Sequence, residues 1–207
     1  MEEVKALIGD IRNGKLAPVY FLMGDEPYYI DRISEFIGEN VLTEEERGFN
    51  QTVLYGKDTG VDEIVGHAKR YPMMAEYQVV IVREAQHLSR TIEQLAEYAA
   101  NPQASTILVI CYKYKTLDRR KKLIKTLRKG ESVVFESKKL YENQVADWIR
   151  RVLLGSDYRI SHKASALLVE YMGTDLSRIS NELDKLKLVL PKGAEITPET
   201  VEEHIGI

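Results

Sequence analysis

Two hydrophobic periods alternate along the first two thirds of the chain, and only one continues afterwards. Up to Phe135, short runs rich in β-branched and aromatic residues stand between stretches whose apolar positions fall three and four apart. The runs are Val19-Tyr20-Phe21-Leu22, Thr52-Val53-Leu54-Tyr55, residues 77–83, residues 106–111 and Ser132-Val133-Val134-Phe135. Their nearly unbroken apolar character predicts five strands buried on both faces, as in a parallel sheet. Between them, helical stripes appear as Val4, Leu7, Ile8 and Ile11 over 2–13, stopped by Gly14, and as Ile30, Ile33 and Ile37 up to Asn40. Val61, Ile64, Val65 and Ala68 mark a helix over 61–70, Leu88, Ile92, Leu95 and Ala99 one over 86–99, and Leu123, Ile124 and Leu127 one over 119–128. Strands alternating with helices predict a three-layer α/β fold.

After Phe135 the strand signal stops. Residues 142–153, 161–172, 174–190 and 198–205 read as helices, with Ser161 and Thr197 as N-caps and Pro198 in a first turn. The change places a boundary at Lys138-Lys139-Leu140, giving domains 1–139 and 140–207.

Composition narrows the classes. In 207 residues, 29% are charged and 44% hydrophobic, an ordinary globular balance. No apolar run approaches the ~20 residues that span a bilayer, and Met1-Glu2-Glu3-Val4-Lys5 has no signal-peptide character. The single cysteine, Cys111, excludes an internal disulfide and suits a reducing cytoplasm; within its apolar strand it reads as an inert core thiol. A net charge of −3 argues against wholesale coating of nucleic acid. His67, His87, His162 and His204 stand too far apart to form a metal-ligand spacing, so no metal and no cofactor is expected.

The turn after the first strand, Gly24-Asp25-Glu26-Pro27, occupies the place of a phosphate loop. Such a loop needs several glycines, a lysine and a hydroxyl. Here two carboxylates stand where phosphate charge would go, and Pro27 lacks an N–H donor. Asp25 or Glu26 is better placed to cap the following helix. The third strand ends in Arg83-Glu84, where a Walker B element would carry a magnesium-binding acid. Arg83 cannot ligate a cation, and Glu84 is left without a metal or phosphate to act on.

Two segments remain with open readings. Residues 113–129 carry nine Lys or Arg against one acid, Asp118, interleaved with Tyr114. That pattern fits phosphate contacts and base stacking, and equally a solvated helix face. Pro72 breaks the helix before Met73-Met74. The two methionines either cap the core or form an adaptable apolar knob for a protein partner.

Taken in order, the stretches Pro18-Val19-Tyr20-Phe21-Leu22-Met23-Gly24-Asp25-Glu26-Pro27-Tyr28, Phe49-Asn50, Met73-Met74-Ala75-Glu76-Tyr77-Gln78-Val79-Val80-Ile81-Val82, Arg119-Arg120-Lys121-Lys122-Leu123 and Gly173-Thr174-Asp175-Leu176-Ser177-Arg178-Ile179-Ser180-Asn181-Glu182-Leu183 resemble the delta subunit of the bacterial DNA polymerase III clamp loader. The resemblance spans nearly the whole chain. It implies an AAA+-like three-layer α/β domain with a five-stranded, mainly parallel sheet and no working P-loop, followed by a small all-α helical lid domain. The family's collar domain is expected after Ile207 and is absent from these residues.

The resemblance further implies a subunit that is not itself an enzyme but belongs to a DNA-directed DNA polymerase, a nucleotidyltransferase holoenzyme acting in cytoplasmic DNA replication. Its partners would be the β sliding clamp, which it binds and opens, the other loader subunits, and DNA within the assembled loader. Pro72, Met73 and Met74 match the segment by which the family plugs a pocket on the clamp, with Met-Met in place of the common Leu-Phe. Lys113, Lys115, Arg119, Arg120 and Lys122 are the candidate DNA contacts. Gly24, Asp25, Glu26, Arg83, Glu84 and Arg178 mark degenerate nucleotide-site positions, Arg178 matching the sensor-2 arginine of AAA+ lids. Two other readings stay open, a DNA-binding module built on 113–129 and a degenerate AAA+ ATPase.

Overall fold

Five strands pair in parallel: β1 (Val19–Gly24), β2 (Gln51–Tyr55), β3 (Gln78–Arg83), β4 (Thr106–Lys113) and β5 (Val133–Ser137), in the spatial order β2-β3-β4-β1-β5. This is a computed structural model, and it describes residues 2–206; Met1 and Ile207 lie outside the described residues. The chain divides into two compact units, Met1–Lys139 and Leu140–Ile207.

In the first unit the pleat sends alternate side chains to opposite faces of the sheet. Val19, Phe21, Met23, Val80, Val82, Leu108, Ile110 and Tyr112 join one buried cluster with α4 (Val61–Ala68), α5 (Leu95–Ala100) and α6 (Lys122–Lys129). The other face is covered by α2 (Pro27–Asn40), which packs on β1, β3, β4 and β5 and carries α1 (Glu2–Arg12) against its flank. Ile30, Ile33 and Ile37 of α2 are completely buried. The three-layer arrangement expected from the sequence is therefore the one observed.

Three local departures have physical causes. A short helix, α3 (Glu44–Asn50), precedes β2, started by a capping box in which Thr43 and Glu46 exchange side-chain-to-backbone hydrogen bonds. The single helix expected over 86–99 is broken. Glu84 sits at φ 53 and turns the chain, and two 3₁₀ turns, Ala85–Leu88 and Ile92–Gln94, come before α5. Between them the Thr91 hydroxyl donates back to the Leu88 carbonyl, a local bond that competes with helix propagation. Finally, α6 starts only at Lys122, because the Asp118 carboxylate accepts from the Arg120 N–H at 2.8 Å and holds a turn there.

The second unit contains α7 (Glu142–Leu154), α8 (His162–Met172), α9 (Leu176–Val189) and α10 (Pro198–Ile205). Trp148, Ile149 and Leu153 of α7, Leu168 of α8 and Ile179, Leu183 and Leu186 of α9 form its core. Ser161, Asp175 and Thr197 cap the helices that follow them. A two-residue parallel pairing, β6 (Arg159–Ile160) with β7 (Glu195–Ile196), is added to the helices. Strands this short carry no period-two signal, so helical patterning alone did not reveal them.

Candidate functional site

The loop between α4 and β3 carries the methionine pair, and both of its ends are fixed. At the end of α4 the Ala68 carbonyl accepts from the Thr106 hydroxyl at 2.8 Å and from the Tyr98 hydroxyl at 3.3 Å. The Gln78 side-chain amide donates to the Thr106 hydroxyl at 2.8 Å, to the His67 carbonyl at 3.2 Å and to the Arg70 carbonyl. Helix ends leave carbonyls without intrahelical partners, and these side chains from β3, β4 and α5 satisfy them.

The middle of the loop is fixed by Asn50, the buried last residue of α3. Its Oδ1 accepts from the Met73 N–H at 2.6 Å, and its Nδ2 donates to the Met73 carbonyl at 3.0 Å and to the Glu46 carbonyl at 3.1 Å. Met73 is thus gripped by its backbone while its side chain is 62% exposed. Met74 adopts φ 55, a left-handed conformation uncommon for a residue with a Cβ, and its side chain is fully exposed. Tyr71 on the same loop, and Phe49 beside Asn50, are also more than 70% exposed (79% and 75%). Pro72 is half-buried. Three large apolar side chains are thereby presented to solvent from a loop whose backbone is held in place, and a fourth, Phe49, from the end of α3. Exposed residues of this kind mark interaction surfaces when they cluster. Asn50 and Gln78 escaped the sequence reading as site residues, because their partners lie 23 and up to 28 residues away.

At the turn after β1, the backbone donors are already in use. The Gly24 N–H donates to the Lys115 carbonyl at 3.0 Å, and the Asp25 N–H to the Ser137 carbonyl at 3.2 Å. The Glu26 N–H donates to the Ser137 hydroxyl at 3.2 Å, and Glu26 itself caps α2 by accepting from the Tyr28 N–H at 3.1 Å. Gly24 has φ 126, and a Cβ there would lie 2.0 Å from the Ser137 carbonyl oxygen. That side of the turn is filled by β5 and by the segment that follows β4. Arg83 is exposed at the end of β3, and Glu84 pairs with His87 at 3.6 Å. Arg178, in the second unit, is exposed on the first turn of α9.

The basic segment divides. Lys113 is only partly exposed and turns inward, its ammonium 2.7 Å from Asp31 of α2. Arg119 lies 3.7 Å from Glu136, and Arg120 makes a bidentate pair with Asp118, whose carboxyl is held down at about 2 by that hydrogen bonding. Lys115 and Lys122 are exposed, and the remaining solvent side of α6 carries Lys125, Arg128 and Lys129. Burial pushes the Cys111 thiol up to about 11, so it is not a nucleophile at neutral pH. Among the described residues, no group of three or more His, Cys, Asp or Glu is placed to hold a metal ion, and no helix is long and apolar enough to cross a membrane.

Comparison with known proteins adds the family. The family model described as DNA polymerase III, delta subunit, matches residues 20–138. The DNA polymerase III subunit delta of Bacillus subtilis (strain 168) is 27% identical over 201 residues, which are 93% of this chain and 58% of that protein. A solved structure, the Bacillus subtilis DNA clamp loader delta protein (YqeN), superposes with a TM-score of 0.76 at 26% identity, covering 97% of this chain and 61% of that one. The chain therefore spans about three fifths of the length of the relatives it matches. The matched segment runs from the second residue of β1 through β5, includes Asn50, the methionine pair and the basic helix, and is more than half of the sequence; the chain belongs to the DNA polymerase III delta subunit family.

Proposed function

We propose that this chain is the clamp-engaging part of a clamp loader, and that Met73 and Met74 are the residues that enter the sliding clamp. The observation that carries this reading is an exposed apolar pair, Met74 fully and Met73 for the larger part, on a loop tied to the body of the domain at both ends and in the middle. Burying a methionine side chain contributes about 1.5–3 kcal/mol. Two adjacent ones, with exposed Tyr71 on the same loop and exposed Phe49 next to Asn50, are enough for a central hot spot once the costs of association are met. Methionine suits such a role because its flexible, polarisable chain adapts to a pocket. Opening of the clamp follows if the knob binds the opened interface better than the closed ring, since a ligand shifts an equilibrium only by its differential affinity.

The subunit does this without bond chemistry. The N–H groups that would cradle phosphates are spent on Lys115 and Ser137, and two carboxylates occupy the turn. ATP-driven steps then fall to other subunits of the loader, acting in the cytoplasm. Contact with DNA inside the assembled loader is supported by exposed Lys115, Arg119, Arg120 and Lys122; Lys113 fits that set less well, its side chain being largely buried against Asp31.

The direct test is a pull-down of the chain with the cognate sliding clamp, alongside calorimetric titration with ATP–magnesium. Capture of the clamp and no heat of nucleotide binding are expected. Nucleotide binding without clamp capture would instead favour a degenerate ATPase.

A further inference from the structure

We infer that Asn50 is the positioning residue of the clamp-binding loop, an inference that rests on the clamp reading given above. Most surface loops are held by their ends alone. Here one buried side-chain amide reads both polar groups of a single residue, accepting from the Met73 N–H at 2.6 Å and donating to the Met73 carbonyl at 3.0 Å. A third hydrogen bond, to the Glu46 carbonyl at 3.1 Å, ties the same amide to the penultimate turn of α3. Asn50 is nearly inaccessible to solvent, so it does not touch a partner itself. Its role is exerted through Met73.

The consequence reaches the next residue. With Met73 fixed on both sides, the chain leaves it in only one direction, and Met74 is delivered at φ 55 with its side chain wholly in solvent. A left-handed conformation is strained for a non-glycine residue and persists only where the surroundings enforce it. The Asn50 amide is the group that enforces it. Asparagine is the one residue of this size whose side chain carries both a donor and an acceptor in the plane needed to pair with a peptide unit. Aspartate retains the bond from the Met73 N–H but turns a second carboxylate oxygen toward two carbonyl oxygens. Without the clamp of hydrogen bonds the loop samples other conformers, and the apparent affinity falls in proportion to the fraction that remains competent.

Asn50→Asp is therefore expected to weaken binding of the cognate sliding clamp about tenfold, as the competent loop falls to about one tenth of the population. The readouts are the equilibrium dissociation constant for that clamp, the thermal midpoint, and the methyl spectrum of ¹³C-labelled methionines. In the wild type, Met73 and Met74 should each give a single resonance, and the Met73 amide should exchange slowly with solvent although its side chain is exposed. In Asn50→Asp the Met73 and Met74 methyls should shift or broaden while Met23, deep in the sheet, stays unchanged.

Met73→Ala with Met74→Ala serves as the reference. If that double variant binds the clamp as wild type does, the clamp reading itself fails. If it loses binding while Asn50→Asp binds as wild type, the positioning role alone is overturned. Rapid exchange of the Met73 amide in the wild-type protein also overturns it, a result available even if substitutions at Asn50 impair folding.

Discussion

Met73 and Met74 are neighbours that the backbone treats in opposite ways. One is gripped by its peptide groups and the other is projected at a positive φ. Neither side chain contributes to the core, so replacing both with alanine should change stability by less than about 0.5 kcal/mol. Met74→Gly is a sharper probe. Glycine accepts φ 55 without strain, so thermal stability should stay level or rise by less than about 1 kcal/mol while clamp binding drops. A large fall in melting temperature would mean that Met74 packs into the domain after all. Cys111 illustrates the reverse case, a reactive group made inert. Its pKa is raised from 9.0 to about 11 by burial, so the unfolded chain ionises first. Stability should hold below pH 9 and fall as pH rises from 9 toward 11, a decline that Tyr20, Tyr98 and Tyr112, also raised by burial, reinforce above pH 10. Thermal melts across that range check the sign. At this scale the sequence exposed the methionine pair through Pro72 but left its burial open, since methionine serves cores and surfaces alike. The grip of Asn50 is a contact across 23 residues and has no local signature.

Among the elements, the five strands were legible because a strand covered on both faces is written as a continuous apolar run. The helix expected over 86–99 was not, since its apolar stripe survives the interruption by two 3₁₀ turns. The α3 capping box, Thr43 with Glu46, was present as a local signal and marks an element the periodicity of seven residues was too short to declare. The junction of β1 with β4 and β5 makes the strongest prediction at this level. Gly24 lies so close to Ser137 that an added Cβ would meet its carbonyl at 2.0 Å, and φ 126 suits glycine alone. Gly24→Ala should destabilise the first unit by at least about 3 kcal/mol, through steric overlap and backbone strain together. Denaturant titration of the variant gives the value; a loss below about 1 kcal/mol would show that β5 can retreat, leaving the turn more open than it stands here.

For the molecule as a whole, the turn after β1, the methionine loop and α6 all belong to the unit Met1–Lys139. Residues 1–139 produced alone should fold, because their core is closed around one sheet, and should retain clamp binding within about threefold of the full chain. Loss of binding with folding intact would assign part of the clamp surface to the second unit. The family relationship was readable from the chain as ordered motifs, whereas the use of the Asp25 and Glu26 N–H groups by Ser137 depends on strands more than a hundred residues apart. The central claim, that Met73 and Met74 carry the interaction with the clamp, is tested most directly by the equilibrium dissociation constant of the cognate sliding clamp for the wild-type chain and for Met73→Ala with Met74→Ala. The account predicts saturable binding by the wild type and a loss of at least about 100-fold in the double variant, whose melting temperature is unchanged. Equal affinity of the two proteins would contradict it.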